Sequence, residues 1–316
     1  MTANSSEYPQ VIALVGPTGS GKSALGMALA QVLDTHILSC DSVQVYRKFN
    51  IGSAKPTSED RALVPHHLID MVDWDNRFDA EQYRREALKV LRALKADGKD
   101  SVVLVGGTGL YLRLLRWGVI DAPASDIALR EALEADEKVN SGSLWKRLHE
   151  VDPESAEQTA PGNIRHLSRA LEIYLSTGQK ASELRRAHGF SEEQVPMWVF
   201  ELAWSPEILR ARIRARLEAM FKSGWREEVK GLLDEGVSSD CTPMKAVGYR
   251  ELCALLEGRA TSDDLEKRIF KSTWTYARRQ RTWFRKERAL EKLSVGLDFD
   301  VFAADFGKAM CQRLGL

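Results

Sequence analysis

Eight consecutive residues near the start of the chain have the types and spacing of a phosphate-binding loop. They match the pattern G-x-x-x-x-G-K-[ST] at every fixed position. The glycines let several backbone N–H groups turn toward one point, the following helix adds its positive N-terminal end, and the lysine adds a point charge. We therefore expect a di- or triphosphate ester to be bound by Gly16, Pro17, Thr18, Gly19, Ser20, Gly21, Lys22 and Ser23. The hydroxyl of Ser23 is placed to hold a magnesium ion against those phosphates.

A carboxylate and a second glycine-rich turn are expected beside the same ligand. Asp41 follows the short apolar run 37–40, and Thr108 lies in a Gly-Gly-Thr-Gly turn after the apolar run 101–105. Ligands of open α/β sheets collect at the carboxyl ends of strands, so both side chains should face the phosphate-binding loop. Asp41 could then bind Mg²⁺, accept a proton from a nucleophile, or simply cap the next turn. Thr108 could donate a hydrogen bond to a phosphate or to a leaving oxygen.

A parallel sheet is the architecture that would position these residues. Apolar runs at 11–15, 37–40, 101–105 and 197–203 predict strands, and segments with helical periodicity separate them. Asp79 and Gln82 form the capping-box pattern that opens one of these helices. Ser205, followed by Pro206, is expected to cap another. The predicted fold class is α/β: a P-loop NTPase-like parallel sheet flanked by helices, with an all-helical insertion domain.

The pattern changes between the third and the fourth predicted strand. Prolines and glycines there punctuate short helical segments, and the best of these helices, 164–177, carries Arg165 and Arg169 one turn apart, off its apolar face. The insertion has nine Lys and Arg residues against fourteen Asp and Glu, so an anion contact must come from a local face. The predicted domains are 1–120, the first part of the core; 121–196, a helical insertion; and 197–316, the rest of the core with basic C-terminal helices.

Two stretches of the last domain are strongly basic. Four arginines, at positions 210, 212, 214 and 216, fall within seven residues of one predicted helix, which is typical of an anion clamp or of a solvated face. The segment 267–288 holds nine basic residues and one acid, interleaved with five aromatic residues. Such a helix is typical of contact with a nucleic-acid backbone. We expect its arginines to meet phosphates and its aromatic rings to pack in the core.

The composition, net charge and cysteine content of the chain exclude several other classes of protein. The 316 residues are 44% hydrophobic and 28% charged with a formal net charge of zero, the composition of a globular protein without a global field for polyanions. Four cysteines lie far apart without C-x-x-C spacing, which disfavours a zinc knuckle or a disulfide scaffold and favours a cytoplasmic location. No apolar run reaches membrane-spanning length, so no membrane partner is expected. The adjacent histidines His66 and His67 are interpreted as structural, and the chain as a monomer.

The motifs together resemble the tRNA dimethylallyltransferases, the tRNA isopentenyltransferase family that prenylates adenosine. The resemblance runs from Val11 to Arg288. The phosphate-binding loop alone is generic, whereas the ordered set with these spacings is specific; only Gly19 departs mildly, because relatives often carry alanine there. The matching segments are GPTGSGKS (16–23), DSVQVY (41–46), GSAKPT (52–57), HHLID (66–70), GGTGLY (106–111), NIRHLSRALE (163–172), Arg216 to Met220, and KAVGYRE (245–251).

The resemblance implies a reaction and a set of catalytic residues. A dimethylallyl group would pass from dimethylallyl diphosphate to N6 of the tRNA adenosine next to the anticodon on its 3′ side, with release of pyrophosphate. Asp41 would be the general base, while Thr108 and Arg216 would join Lys22 in stabilising charge on the leaving group. Mg²⁺, held by Ser23, is the implied cofactor.

The resemblance also implies an RNA interface with the anticodon stem-loop. The adenosine would be flipped out of its stack into a channel that leads to Asp41, beside Thr108. The residues placed around this base are Ser42, Val43 and Gln44. The residues placed against the rest of the RNA are Arg130, Arg165, His166, Leu167, Ser168, Arg169, Lys245, Ala246, Val247, Gly248, Tyr249 and Arg250.

Two other functions are compatible with the phosphate-binding loop. A small P-loop kinase would bind ATP there and use Asp41 to activate an acceptor hydroxyl, but it would not need the helical insertion or the basic segment 267–288. An RNA-binding switch would hydrolyse ATP or GTP without modifying the RNA. The sequence leaves open whether a nucleoside triphosphate competes for the loop, which tRNAs are chosen, and the order of substrate binding.

Overall fold

The computed structural model describes residues 6–123, 126–295 and 298–316. It divides into two compact units, one made of the chain up to Arg116 and from Gln194 onward, the other of Trp117–Glu193. These boundaries lie within a few residues of those predicted for the insertion. The first unit is called the core unit below, and the second the insertion.

The core unit is built on a six-stranded sheet with the order β3-β2-β4-β1-β5-β6. Every neighbouring pair of strands is parallel. The predicted α/β class with a parallel sheet is therefore confirmed. The strands are β1 (Gln10–Val15), β2 (Ile37–Cys40), β3 (His66–His67), β4 (Ser101–Gly106), β5 (Met197–Ala203) and β6 (Leu290–Ser294).

Helices cover both faces of this sheet. Alternate residues of the central strand β1 enter different clusters: Val11 and Ala13 pack on one side, Ile12 and Leu14 on the other, and all four are fully buried. A strand buried on both faces is typical of parallel sheets. The helices of the core unit are α1 (Lys22–Val32), α2 (Ser58–Leu63), α3 (Ala80–Ala96), α4 (Gly109–Trp117, whose last residue begins the insertion), α10 (Pro206–Lys222), α11 (Trp225–Asp234), α12 (Tyr249–Leu256), α13 (Leu265–Phe284) and α14 (Phe299–Leu314).

Two of the helices that position the site begin at predicted caps. Asp79 accepts hydrogen bonds from the N–H groups of Glu81 and Gln82, and Gln82 closes the capping box before α3. Ser205 accepts a hydrogen bond from the Ile208 N–H at the start of α10, with Pro206 in the first turn. Such caps satisfy N–H groups that have no partner inside the helix.

The regular secondary structure in the described residues of the insertion is helical. A small apolar core holds its helices together, with Leu144, Leu148 and Leu167 fully buried. The helices are α5 (Ile127–Val139), α6 (Ser143–Val151), α7 (Pro153–Glu157), α8 (Ile164–Thr177) and α9 (Ala181–His188). The predicted helix 164–177 matches α8 at both ends.

Within the described residues, the helices are too short or too polar to cross a membrane.

Candidate active site

The phosphate-binding loop connects β1 to α1, as its pattern requires. Gly21 has a backbone φ of 94°, in the left-handed region that favours glycine, and it directly precedes the first helical residue, Lys22. The first N–H groups of a helix lack acceptors within it. The loop therefore presents backbone donors and a helix N-terminus to one point, the arrangement that binds phosphate.

Lys22 is held by the loop that precedes it. Its Nζ donates hydrogen bonds to the carbonyl oxygen of Pro17 at 2.7 Å and to Oγ of Ser20 at 3.4 Å. Desolvation, reinforced by the charge of Arg216, lowers the pKa of Lys22 to about 7, while the carboxylate of Asp41 acts in the opposite direction. Its ammonium group is thus costly to hold here until an anion compensates it.

Lys22 and Asp41 line one cavity of about 550 Å³, called the main cavity below. Its wall contains Thr18 and Ser23 from the phosphate-binding loop and Arg216 from α10. Residues placed at the site from distant parts of the sequence thus face a common space. Apolar side chains complete part of the wall: Met27, Ile37, Val105, Leu217, Met220 and Trp225.

Asp41 also holds the turn that follows β2. Its Oδ1 accepts hydrogen bonds from the N–H groups of Val43 at 2.8 Å and Gln44 at 3.3 Å. The second carboxylate oxygen has no hydrogen bond or ion pair in the part of the chain that the structure describes. Capping and proton acceptance are therefore compatible, because one oxygen serves each role.

Thr108 supports this turn and does not line the main cavity. Its Oγ1 accepts a hydrogen bond from the Ser42 N–H at 3.1 Å. The side chain of Gln44 is also engaged, because its Oε1 accepts from Ser39 Oγ at 2.8 Å and its Nε2 donates to the carbonyl oxygens of Ser53 and Ala54, both at 3.1 Å. The main effect of Thr108 on the site is therefore to support the turn that follows Asp41.

Only one of the four arginines of α10 lines the main cavity. Arg216 does so, and burial lowers its pKa while Asp41 raises it. The other three lie over aromatic rings: Arg210 over Trp274 at 4.6 Å, Arg212 over Trp204 at 4.7 Å and Arg214 over Phe270 at 4.9 Å. A clamp of four arginines on one anion is therefore wrong, since helical spacing sends alternate residues in different directions.

Arg212 and Trp204 brace the phosphate-binding loop from outside the main cavity. Arg212 donates from Nε to the carbonyl oxygen of Gly19 at 2.9 Å, and Trp204 donates from Nε1 to that of Ser20 at 2.8 Å. These bonds occupy two carbonyl oxygens of the loop. The two side chains are positioned to fix the loop.

Gln280 of α13 is a site residue that the sequence analysis missed. Its Oε1 accepts a hydrogen bond from the Thr18 N–H at 2.9 Å, and its Nε2 donates to the carbonyl oxygen of Gly107 at 3.0 Å. A Cβ atom at Gly107 would lie 2.2 Å from that Nε2, so the contact requires glycine there. One buried amide thus ties the two glycine-rich loops together.

The spacing of residues on α13 could have identified Gln280 as a site residue from the sequence. Thr273, Tyr276 and Gln280 lie three and four residues apart, so they share one helix face, and all three line the main cavity with Arg279. The expectation that the aromatic rings of this segment pack only in the core is therefore wrong for Tyr276. Lys55, which donates to Asp70 Oδ1 at 2.7 Å, was also missed and lines the same cavity.

Most of the segment 245–250, which was predicted to bind tRNA, lines the main cavity. Lys245 and Arg250 are exposed and line it together with Ala246 and Val247. Tyr249 also lines it but is almost fully buried, and it donates from its hydroxyl to Glu228 Oε1 at 2.6 Å. Gly248 packs against the ring of Trp225. The two exposed cations are the members of this segment that can reach RNA.

The RNA-binding residues placed on the insertion divide into exposed and buried ones. Arg165 and His166 are exposed, with His166 Nδ1 lying 2.9 Å from Asn163 Oδ1. Leu167 and Ser168 are fully buried, so the prediction that their side chains contact RNA is wrong. The apolar face of α8 must fill the core of the insertion, and both residues lie on it.

Arg130 and Arg169 are bound to a buried carboxylate. Arg130 Nη2 lies 2.8 Å from Glu172 Oε2, Arg169 Nη1 lies 2.9 Å from Glu172 Oε1, and the side chain of Glu172 is only 1% exposed. Arg169 Nη2 also donates to the carbonyl oxygen of Pro123 at 2.7 Å. A buried carboxylate that loses its partner is strongly destabilising. The first role of these two arginines is therefore to hold the insertion together, and not to bind RNA.

Metal ligands are sparse in the described residues, where no group of three or more His, Cys, Asp and Glu side chains could hold a metal ion. The two adjacent histidines pack with their neighbours instead, and His67 Nε2 lies 2.9 Å from His36 Nδ1. Ser23 is exposed at the main cavity. This donor set fits Mg²⁺ in its common form, in which most ligands are water and substrate phosphates.

The fold and the main cavity together define a P-loop protein whose phosphate-binding loop lies beside a carboxylate and an arginine. Comparison with known proteins narrows this class. A sequence model of the family described as "IPP transferase" matches residues 44–287.

Relatives of known name agree with this match. A tRNA dimethylallyltransferase 2 of Geotalea uraniireducens is 42% identical over 88% of this chain and 90% of its own. A tRNA dimethylallyltransferase of Myxococcus xanthus is 43% identical over 91% and 93%. The crystal structure of the full-length tRNA isopentenylpyrophosphate transferase of Bacillus halodurans superimposes with a TM-score of 0.71 at 30% identity, covering 97% of each chain.

The chain therefore belongs to the IPP transferase family. The prediction that it is a tRNA dimethylallyltransferase is confirmed, and neither the kinase nor the nucleotide-dependent switch is favoured.

Proposed function

We propose that this enzyme transfers a dimethylallyl group from dimethylallyl diphosphate to N6 of the tRNA adenosine that follows the anticodon on its 3′ side. The observation that carries the proposal is the main cavity, where Lys22 and Arg216 face a phosphate-binding loop and Asp41 lies at the same space. One end of the reaction needs cations for a departing diphosphate, and the other needs a base for an incoming amine. The main cavity supplies both.

The diphosphate is bound by the loop of residues 16–23. Its backbone donors and Lys22 meet the phosphate oxygens, and Arg216 adds a second cation. Donors fixed in place before the reaction stabilise charge that grows as the bond to the leaving group breaks. The dimethylallyl tail lies against apolar wall residues such as Met27 and Met220.

In this proposal Mg²⁺ binds at the diphosphate end of the main cavity. Ser23 would hold it through the exposed hydroxyl, with the diphosphate supplying further ligands. When bound, the ion neutralises negative charge on the leaving group. The residues of this chain perform the remaining steps.

Asp41 accepts the proton that the amine must lose. The N6 nitrogen forms a bond to the first carbon of the dimethylallyl group, the bond from that carbon to the diphosphate oxygen breaks, and its electron pair leaves with pyrophosphate. The proton from N6 passes to the second carboxylate oxygen of Asp41, while the first keeps its bonds to Val43 and Gln44. The turn therefore fixes the base while one oxygen acts.

The adenine must leave its stack to reach this oxygen. Enzymes that act on a base extrude it into a pocket, which costs a few kcal/mol in unstacking. The main cavity, at about 550 Å³, has room for a base and a prenyl diphosphate chain side by side. Ser42 and Val43 line it next to Asp41 and form the base-binding wall.

Exposed cations grip the rest of the anticodon arm. Lys245, Arg250 and Arg279 line the main cavity and are exposed, so they can contact phosphates around a flipped base. On the insertion, Arg165 is an exposed cation and forms a second contact, with the exposed imidazole of His166 beside it. Phosphate contacts of this kind set position and salt dependence rather than sequence preference.

One experiment tests this function against its alternatives. The protein is incubated with unmodified tRNA and Mg²⁺, together with either dimethylallyl diphosphate or ATP, and the digested nucleosides are weighed by mass spectrometry. We expect adenosine to gain the mass of the prenyl group only with dimethylallyl diphosphate. Consumption of ATP without a modified nucleoside would contradict the proposal.

A further inference from the structure

A second cavity of about 330 Å³ lies beside the phosphate-binding loop of the core unit and is called the basic cavity below. Pro17 lines it, whereas its neighbour Thr18 lines the main cavity. The loop is therefore a wall shared by two spaces. The function proposed above uses only one of them.

Helix α13 presents different faces to the two cavities. Thr273, Tyr276 and Gln280 face the main cavity, as described above. Three arginines at i, i+3 and i+7 line the basic cavity, and Lys292 of the edge strand β6 joins them. The cations of the basic cavity are thus Arg278, Arg281, Arg285 and Lys292.

These four cations lack carboxylate partners. Within residues 6–123, 126–295 and 298–316, none of the four forms an ion pair. Another cation of the same helix does, since Lys267 Nζ lies 2.5 Å from Asp264 Oδ1. Like charges that converge on one low-dielectric cleft repel one another and concentrate anions there.

The floor of the basic cavity carries one buried carboxylate. Glu201 is 6% exposed and is the strand-register partner of Lys292 across β5 and β6. Its carboxylate has no hydrogen bond or ion pair to any described residue. Burial raises the pKa of Glu201, while the charges of Lys292, Arg281 and Arg285 lower it. Even with Glu201 ionised, the cluster keeps an excess of positive charge.

We propose that the basic cavity is a binding site for a free diphosphate anion, separate from the diphosphate site of the main cavity. An RNA phosphodiester carries one negative charge, so a single backbone phosphate would leave most of this cluster uncompensated. A diphosphate carries several charges on a compact group and can receive hydrogen bonds from more than one arginine at once. Inorganic pyrophosphate, the product of the proposed reaction, is the probe of this class.

The test counts pyrophosphate sites on the full-length protein by equilibrium dialysis with Mg²⁺. We expect two sites on the parent protein. Lys22→Ala should abolish the site of the main cavity and leave the other. The double variant Arg281→Ala/Arg285→Ala should leave the main-cavity site and weaken the second by about tenfold or more, because it removes two charge-assisted contacts. Lys267→Ala/Lys271→Ala, on exposed residues of the same helix outside both cavities, is the matched control and should keep two sites.

A single pyrophosphate site on the parent protein that Lys22→Ala removes would overturn the proposal. A separate arm measures binding of unmodified tRNA to the same variants. If Arg281→Ala/Arg285→Ala weakened tRNA binding but left both pyrophosphate sites intact, the cluster would be an RNA backbone contact and the proposal would be wrong. Glu201→Gln removes the one negative charge of the cavity, so we expect pyrophosphate to bind its second site more tightly; weaker binding would also count against it.

Discussion

The side-chain amide of Gln280 accepts a hydrogen bond from the backbone N–H of Thr18, 262 residues earlier in the chain. The same amide donates to the carbonyl oxygen of Gly107, so the basic helix α13 fixes both glycine-rich loops of the main cavity. The Thr18 N–H is thereby used by the protein and is not offered to phosphate. Gln280 therefore positions the diphosphate site without touching its ligand.

Gln280→Met should remove both hydrogen bonds with little change in volume. Leaving the Thr18 N–H and the Gly107 carbonyl buried and unpaired costs about 1–3 kcal/mol, so we expect kcat/KM for dimethylallyl diphosphate to fall by about tenfold. Steady-state kinetics at saturating tRNA measure this. An unchanged kcat/KM would contradict the positioning role.

Gln280→Glu separates positioning from general stability. An ionised carboxylate still accepts from the Thr18 N–H but faces the Gly107 carbonyl with a second acceptor, whereas the protonated acid can donate to it. Burial raises the pKa of a carboxyl group, so we expect this variant to recover activity as the pH falls toward about 6. Gln280→Met has no proton to gain, and its activity relative to the parent should stay constant with pH.

Asp41→Asn tests the general base without disturbing the turn. An asparagine keeps the Oδ1 that accepts from Val43 and Gln44, but its second atom is a donor and cannot take a proton. General-base assistance is typically worth about 10²–10⁴ in rate, so we expect kcat to fall by about that factor. The dissociation constant for tRNA should change little. A matching loss of tRNA affinity would show that Asp41 acts in binding.

Lys22 should take up a proton when the donor binds. Its pKa is lowered to about 7 by desolvation and by Arg216, and a bound diphosphate raises it again. Above pH 7 binding is then coupled to protonation, so affinity for dimethylallyl diphosphate should fall as the pH rises, by up to about tenfold per unit. Calorimetry at pH 8 in two buffers of different ionisation enthalpy measures the proton uptake.

Lys22→Arg is the control for this linkage, because a guanidinium stays charged at every pH used. The part of the proton uptake that belongs to Lys22 should disappear in this variant. Equal uptake by parent and variant would place the titrating group elsewhere.

Arg216 and Arg214 form a matched pair on one helix. Arg216 lines the main cavity, whereas Arg214 is exposed and lies over the ring of Phe270 at 4.9 Å. Losing one fixed donor to a developing charge typically costs about 10²–10³ in kcat, so we expect Arg216→Gln to lose that much. Arg214→Gln should leave kcat near the parent value. Comparable losses in both variants would mean that the helix, and not the cavity cation, is needed.

The sequence was most informative where local chemistry decides structure. The motif at residues 16–23, the caps at Asp79 and Ser205, and the apolar strand β5 were all recognisable, because each depends on neighbouring residues only. The edge strands were not predicted. β3 has two residues, His66 and His67, too few for a periodic signal, and β6 is largely exposed, so apolar alternation cannot show it.

Contacts between residues far apart in the chain could not be predicted from the sequence. Gln280 reads as one more polar residue of a basic helix, and its role exists only because α13 passes beside Thr18 and Gly107. Helix α14 was likewise not predicted, although its buried residues Ala303, Phe306 and Met310 follow helical spacing and pack in a core cluster with residues of the sheet. Its neighbours in space are far away in the chain.

The two arginines of α8 look equivalent in sequence but differ in their contacts, for the same reason. Arg165 is exposed, whereas Arg169 is bound to Glu172 and to the carbonyl oxygen of Pro123. We expect Arg165→Ala to lower the slope of log Kd for tRNA against log salt by about one and to leave thermal stability unchanged, as for one lost phosphate contact.

Arg169→Ala should instead act on the insertion itself. It removes one of the two arginines bound to Glu172, whose side chain is 1% exposed, and breaking a buried ion pair costs about 3–5 kcal/mol. Since Arg130 still contacts Glu172, we expect a loss near the lower end of this range, seen as unfolding of the insertion at lower denaturant concentration. Limited proteolysis should show the same early opening. If the variant kept parental stability but its tRNA affinity depended less on salt, Arg169 would instead be an RNA contact.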